Sequence, residues 1–183
     1  MMYNKICLLG ASGAGKDWVC SEIMKRHQEF VRLSFSDGLK EICYNVFDWM
    51  KRDYSPEQKE KPLNIKTSLG EIIDLSPREI WLKMNFLREI ENGIFVRKLN
   101  DELNELEFYG VETFIISDLR TKPELDFVKQ NGFKIIKIVN HVNYHPENDF
   151  DRIQNSKEFL DAVDHVYENR IGKAFNENEF WNF

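Results

Sequence analysis

Residues 10–17 read Gly10-Ala11-Ser12-Gly13-Ala14-Gly15-Lys16-Asp17, which completes the pattern G-x-x-x-x-G-K. Glycines in such a loop let the backbone curl until successive N–H groups converge on an anion, and the lysine reaches the outer phosphates. A helix that begins at about Lys16 would add its positive end to the same site. The stretch therefore predicts a binding site for a nucleoside triphosphate, with ATP as the expected ligand.

The residue after the loop lysine is unusual. Most such loops place Ser or Thr there, and its hydroxyl binds Mg²⁺ directly, whereas this chain has Asp17. A carboxylate at this position is expected to act through water, because Mg²⁺ gives up its water ligands reluctantly. The sequence thus predicts Mg²⁺ beside ATP and makes Asp17 a candidate metal-site residue.

The segments on either side of the loop fit the same prediction. The apolar run Lys5–Leu9 is typical of a buried strand that leads directly into the glycines. Val19, Ile23 and Met24 are spaced for one face of a helix. A strand, a glycine loop and a helix in this order are the context that a phosphate-binding loop requires.

Length and composition bound the function. A chain of 183 residues predicts one domain over 1–183 with room for a small lid. Its net charge of −6 excludes a broad basic surface for nucleic acid. Cys7, Cys20 and Cys43 are odd in number and contain no C-x-x-C pattern, so free thiols in a reducing cytoplasm are expected. No apolar run has the length of a membrane span, which favours a cytoplasmic protein without a membrane partner.

Strand-like and helix-like segments alternate along the chain. The expected strands are 31–36, 111–116, 133–139 and 165–167, and the expected helices include 38–51, 123–130 and 156–163. This alternation predicts an α/β protein with a parallel sheet and right-handed crossovers. Together with the glycine loop it predicts a three-layer P-loop NTPase fold, in which helices flank the parallel sheet and a small lid is added.

Three other segments are expected to have distinct roles. Residues 53–70 are predicted to be an exposed connection with little regular structure. Ser76-Pro77-Arg78-Glu79 has the order of a helix start, and one long helical stretch is predicted to follow it. The amphipathic stretch 79–108 offers a face for a homodimer. The polar segment 140–155 is predicted to be the lid.

Polar residues follow the predicted strands where ligands bind in open parallel sheets. Asp118 is a candidate for orienting hydrated Mg²⁺, and a helix-capping role is equally compatible with its position. Asp37 is a candidate substrate-binding residue, with an N-cap as the alternative.

Arginines are the expected partners of the phosphates, because the guanidinium group binds them bidentately and keeps its charge. Arg78 and Arg120 are the favoured candidates, and Arg88 is as compatible with a solvated role as with a binding role. Arg97 and Arg152 fit a solvated role better. Lys16, Arg78 and Arg120 are the expected catalytic residues, and Asp37, Arg78, Arg88 and Arg120 are the expected substrate-binding residues.

Five segments carry a family resemblance, in the same order along the chain. Gly13–Asp17 resembles the G-S-G-K-D-T loop of phage-type deoxynucleoside monophosphate kinases, and Ser34–Glu41 resembles their S-F-A-D-P-L-K-E segment. Ser76–Glu79 is similar to their T-P-R-E helix start, Ser117–Arg120 to their S-D-V-R segment, and Asp164–Asn169 to their closing strand.

The resemblance implies a P-loop kinase that transfers the γ-phosphate of Mg·ATP to a deoxynucleoside monophosphate. It implies that residues 10–17 bind the triphosphate and that Asp37, Arg78 and Arg120 hold the acceptor or support the metal. An acceptor phosphate already offers an anionic oxygen, so positioning and charge neutralisation are the expected means of catalysis.

The chain also departs from the family at three positions. Trp18 replaces the family's Thr, Gly38 replaces Pro, and Lys157 stands where an acidic residue is common. Two alternatives remain open. One is a kinase of another phosphorylated small molecule, such as dephospho-coenzyme A, and the other is a nucleotide-binding module without catalysis. The expected partners are in each case small-molecule nucleotides.

Overall fold

The computed structural model describes residues 3–140, 149–170 and 172–182. Its strands, in chain order, are β1 (Lys5–Leu9), β2 (Val31–Leu33), β3 (Ile65–Lys66), β4 (Ile72–Ile73), β5 (Phe114–Ile116), β6 (Lys134–Val139) and β7 (His165–Glu168). Its helices are α1 (Lys16–Arg26), α2 (Phe35–Val46), α3 (Pro77–Met84), α4 (Leu87–Ile90), α5 (Ile94–Phe108), α6 (Lys122–Gln130), α7 (Asp149–Gln154), α8 (Lys157–Leu160) and α9 (Glu177–Phe180).

A five-stranded parallel sheet carries the fold, with strand order β2-β5-β1-β6-β7. β1 is its central strand, and Cys7 there pairs with Ile116 of β5 on one side and Ile135 of β6 on the other. Helices flank the sheet, so the predicted α/β class and the P-loop arrangement of a parallel sheet with flanking helices are confirmed. The glycine loop therefore leaves the middle of the sheet's carboxyl edge.

The hydrophobic core explains why α1 lies against this sheet. Val19 and Ile23 are fully buried, as the predicted helix face requires. They belong to a cluster that also contains residues of four strands, namely Ile6, Leu8, Ile115, Ile136, Ile138 and Tyr167. Burial of this apolar surface, at roughly 25 cal/mol per Å², holds the first helix and the glycine loop in place.

The chain forms two compact units. The first comprises Met1–Phe35 and Leu99–Phe183 and contains the parallel sheet. The second comprises Ser36–Lys98 and contains the antiparallel β3–β4 pair together with α3 and α4. The three cysteines are buried and carry free thiols, as predicted. None of the described helices is long and apolar enough to cross a bilayer.

The second strand and its helix differ from the prediction. β2 ends at Leu33 and α2 begins at Phe35, whereas the predicted strand ran to residue 36 and the predicted helix began at 38. The reason is a distant cap, because the Asp118 carboxylate accepts a hydrogen bond from the Phe35 N–H at 2.9 Å. Asp37 consequently lies in the first turn of α2 and is not its N-cap. α2 also ends at Val46, before the predicted end at 51.

The predicted helix start at Ser76 is confirmed, but the single long helix after it is wrong. Ser76 and Glu79 form a reciprocal capping box with Pro77 in the first turn. The chain then forms α3, α4 and α5, because Glu91 adopts an extended conformation (φ −140°, ψ 102°) between the last two. The stripe on α5 is confirmed at its first three positions, where Phe95, Leu99 and Leu103 are buried.

The connection at 53–70 is more ordered than predicted. It contains a short 3-10 turn at Gln58–Glu60 and strand β3, which pairs with β4. A turn joins the two strands, in which the Gly70 N–H donates to the Thr67 carbonyl at 3.0 Å and Gly70 has φ +84°. This turn requires glycine, because L side chains rarely adopt such a backbone. Of the predicted lid at 140–155, residues 141–148 lie outside the described residues.

Candidate active site

The glycine loop has the curled backbone that its sequence predicts. Gly13 and Gly15 adopt left-handed conformations, with φ of +81° and +90°. The Ala14 N–H donates to the Ala11 carbonyl at 3.1 Å and closes a turn inside the loop. α1 begins at Lys16, and Gly15 is its N-cap. The loop therefore directs the amino end of an eleven-residue helix at the same place as its own amides.

The ends of strands β6 and β7 restrict the backbone of the glycine loop. A Cβ added to Gly10 would lie 2.5 Å from the Ile138 carbonyl oxygen at the end of β6. A Cβ added to Gly15 would lie 2.0 Å from the Asn169 side-chain nitrogen. That same nitrogen donates to the Ala14 carbonyl at 2.9 Å. Asn169 follows β7 directly, so the strand places its amide to hold the loop.

Lys16 is held inside the loop. Its Nζ donates to the carbonyls of Gly10 at 2.6 Å and Ala11 at 2.9 Å, which leaves one of its three protons for another acceptor. Burial, together with repulsion from the Arg120 guanidinium, lowers the pKa of Lys16 to about 8. The carboxylates of Asp17, Asp118 and Asp151 oppose this shift. The positive charges of Lys16 and Arg120 thus both act at the glycine loop, and this environment favours the binding of an anion.

The end of β5 contributes the second cation. Glu124 is fully buried, and its carboxylate accepts hydrogen bonds from the N–H groups of Arg120 at 2.7 Å and Thr121 at 2.9 Å. The backbone that carries Arg120 is therefore held by a buried charge. The Arg120 side chain is exposed, and its guanidinium carbon lies 5.9 Å from the centre of the Phe150 ring.

Asp151 was not among the predicted site residues, although it contacts the loop. Its Oδ1 accepts a hydrogen bond from the Ser12 N–H at 3.2 Å, and its residue is only 3% exposed. The two residues are 139 positions apart, and α7 is too short to have a clear periodic pattern. The only signal in the sequence was that this aspartate belongs to the predicted lid segment.

The two predicted metal-site residues lie in different surroundings. Asp17 is exposed and lines an open groove of ≈ 300 Å³ with Cys20, Ser21, Met24, Lys25 and Arg32. Asp118 is buried and caps α2, as its alternative interpretation proposed. Within the described parts of the chain, no group of three or more His, Cys, Asp or Glu side chains could hold a metal ion.

The remaining predicted residues belong to the second unit. Asp37 pairs with Lys40 at 2.7 Å, and Arg78 pairs with Glu60 at 2.7 Å on an exposed surface. The Arg88 guanidinium carbon lies 4.6 Å from the centre of the Phe95 ring, and both residues belong to the second unit. Within the first unit, the structure brings together the glycine loop, Lys16, Asp118 and Arg120.

Comparisons with known proteins bear on this arrangement. Neither a protein-family model nor a curated protein matches the sequence. Among solved structures, the dephospho-CoA kinase from Campylobacter jejuni is similar, with a TM-score of 0.52 over 95% of this chain and 90% of that chain. The fold is that of a P-loop kinase. The two sequences are 14% identical, so the likeness extends to the fold alone. The shared fold agrees with the fold that the family resemblance implies, and it does not single out the phage-type kinases.

Proposed function

We propose that this chain is an ATP-dependent phosphotransferase that uses a deoxynucleoside monophosphate as its acceptor. The observation that carries the proposal is the pair of cations at the glycine loop. Lys16 is half-buried at the loop with a lowered pKa, and the Arg120 guanidinium contributes to that lowering. Bringing an anion to the loop would relieve the repulsion between them, as phosphoryl transfer requires.

The loop fits the triphosphate of ATP. Its Ser12 N–H already donates to a carboxylate oxygen, which is an anionic acceptor like a phosphate oxygen. Gly13 has a left-handed backbone with open space where a side chain would stand. Mg²⁺ generally keeps several waters and shares substrate phosphates, so we assign Asp17 and Asp118 a water-mediated part in holding it. Mg·ATP, when bound, supplies the phosphoryl group and part of the charge neutralisation.

Each protein group then has a defined role in the proposed reaction. Lys16 stabilises negative charge on the transferred phosphoryl group, and Arg120 neutralises the phosphates beside it. Asp37, Arg78 and Arg88 are the residues that we propose for acceptor binding. An acceptor phosphate is anionic before it reacts, so no strong general base is needed.

A second candidate acceptor follows from the structural comparison. The similar structure is that of a dephospho-CoA kinase, and a kinase of this acceptor fits the same loop and the same cations. The motifs at Ser76–Glu79 and Ser117–Arg120 favour the deoxynucleotide, whereas the structural similarity favours dephospho-coenzyme A. The two candidates differ only in the acceptor, so a comparison of acceptors separates them.

The test is an ADP-release assay with Mg·ATP and a panel of acceptors. The panel contains the four deoxynucleoside monophosphates, the corresponding ribonucleotides and dephospho-coenzyme A, and mass spectrometry identifies the phosphorylated product. We expect the highest kcat/KM with one deoxynucleoside monophosphate. A higher value with dephospho-coenzyme A would favour the second candidate. Tight ATP binding without transfer to any acceptor would support a non-catalytic nucleotide-binding module.

A pair of lysine variants tests the role of the loop. Lys16→Met removes the half-buried charge at the loop, and Lys25→Ala removes an exposed lysine of the same helix that pairs with Glu22. We expect Lys16→Met to lower kcat by at least about 100-fold, since a group that stabilises transition-state charge contributes on this order. Lys25→Ala should keep the wild-type rate. Near-wild-type turnover by a folded Lys16→Met variant would contradict the proposed function.

A further inference from the structure

One side of α7 contacts the phosphate loop and the end of β5. Asp151 accepts from the Ser12 N–H, and Gln154 donates its Nε2 proton to the Leu119 carbonyl at 2.9 Å. Phe150 faces the Arg120 guanidinium at 5.9 Å. Positions 150, 151 and 154 are neighbours on one side of a helix. α7 is therefore held on this edge by three separate contacts.

The contact made by Asp151 is chemically different from the other two. It places a carboxylate on an N–H group of the loop whose glycines and lysine are arranged for an anion. The residue is 3% exposed, so water screens this charge little. The carboxylate also acts on Lys16, whose charged form it favours. Asp151 thus provides the loop with negative charge from within the chain.

We propose that Asp151 is a built-in anion that occupies the phosphate loop and competes with the phosphoryl groups of the ligand. A second anion at the Ser12 N–H would be in contact with the Asp151 carboxylate, and two negative charges in contact repel each other strongly. Binding of phosphate therefore moves the Asp151 carboxylate away from the loop and weakens one of the three contacts of α7. This inference rests on the proposed function only in taking the loop to bind phosphate.

Binding of pyrophosphate without Mg²⁺, measured by titration calorimetry in the presence of EDTA, tests the competition. Asp151→Asn keeps the size of the side chain and removes its charge. Asp161→Asn removes the same charge from the exposed end of α8 and serves as the control. We expect Asp151→Asn to bind pyrophosphate about tenfold more tightly than the wild type, because the ligand no longer has to displace a charge-assisted hydrogen bond from the Ser12 N–H. Asp161→Asn should stay within about twofold of the wild type.

Three results would overturn the inference. Asp151→Asn could bind pyrophosphate no more tightly than the wild type, it could bind none at all, or Asp161→Asn could tighten binding equally. The assay contains no acceptor and no transfer step, so it separates this inference from the proposed function. A chain that shows the competition but transfers no phosphoryl group would lose only the kinase assignment. An active kinase in which Asp151→Asn has no effect on binding would lose only this inference.

A measurement on the wild-type chain covers the case in which Asp151→Asn does not fold. Pyrophosphate is titrated while NMR follows the Ser12 amide and the carboxyl carbon of Asp151. We expect both signals to shift with the same midpoint, because pyrophosphate replaces the Asp151 carboxylate as the acceptor of the Ser12 N–H. A shift of the Ser12 amide without a shift of the Asp151 carboxyl carbon would overturn the inference.

Discussion

The glycine loop allows a prediction in which two neighbouring substitutions differ in one physical factor. Gly13 and Gly15 both have left-handed backbones, with φ of +81° and +90°. A Cβ at Gly13 would meet nothing within 4 Å, whereas a Cβ at Gly15 would lie 2.0 Å from the Asn169 side-chain nitrogen. Gly13→Ala therefore tests backbone strain alone, and Gly15→Ala tests the same strain together with a clash.

The expected magnitudes follow from these contacts. A left-handed backbone costs an L residue about 1–2 kcal/mol, so Gly13→Ala should lower the free energy of unfolding by about that amount. In Gly15→Ala the Asn169 amide must also move and give up its 2.9 Å hydrogen bond to the Ala14 carbonyl. A buried acceptor left without its partner costs a further 1–3 kcal/mol, approximately. The difference of about 2 kcal/mol corresponds to about 1 M in the urea midpoint, at a slope of about 2 kcal/mol/M.

The assay is urea denaturation followed by far-ultraviolet circular dichroism, with Asn169→Ala added to each background. Removing the amide destabilises the wild type but should cost little in Gly15→Ala, where the hydrogen bond is already lost and the clash disappears. This non-additivity is the signature of direct contact. Equal unfolding free energies for Gly13→Ala and Gly15→Ala would refute the reasoning, because the clash with Asn169 would then have no energetic effect.

Three further predictions concern charge and capping. Burial lowers the pKa of Lys16 to about 8 in the folded chain, whereas an unfolded lysine has a pKa of about 10.4. Between these two pH values the unfolded chain binds more protons than the folded chain, so the free energy of unfolding rises with pH. The rise, at most about 3 kcal/mol, should appear as the difference between wild type and Lys16→Met in urea denaturation from pH 7 to 10.5, and a flat difference would contradict it. Asp118→Ala should lower the free energy of unfolding by about 1.5–3 kcal/mol through loss of the Phe35 N–H bond, with a smaller loss in Asp118→Asn, which keeps an oxygen acceptor; equal losses would contradict the capping role. Ser76→Ala should cost about 1 kcal/mol in thermal or urea unfolding, and no change would show that the capping box is energetically idle.

The glycine loop of the candidate site was predictable from local sequence patterns. A phosphate loop is a contiguous motif, and the residues that shape it are neighbours in sequence. The same holds for the helix start at Ser76–Glu79, where one short segment contains both hydrogen-bonding partners. The alternation of strands and helices was enough to predict the parallel sheet, because its three inner strands, β1, β5 and β6, are short and largely apolar runs that stand out from their surroundings.

Contacts between distant segments were not predictable in this way. The prediction placed the start of α2 at 38 because Asp37 is a good local cap, yet the cap comes from Asp118, 83 positions away. The contact of Asp151 with Ser12 is of the same kind, since nothing near either residue indicates the other. The break between α4 and α5 differs, because Glu91 is followed by Asn92-Gly93, a dipeptide that marks turns and that the prediction of one long helix did not take into account.

The two interpretations of Asp118 are compatible with each other. A carboxylate can accept about four hydrogen bonds, so the bond from the Phe35 N–H does not prevent it from also binding a water of hydrated Mg²⁺. The bond instead restricts how the carboxylate can rotate, since its Oδ1 is fixed 2.9 Å from a helix terminus. A fixed carboxylate holds a metal-bound water in one orientation, which a freely rotating one cannot do. The cap is therefore a reason to keep Asp118 among the proposed metal-site residues, and exposed Asp17 is the weaker of the two.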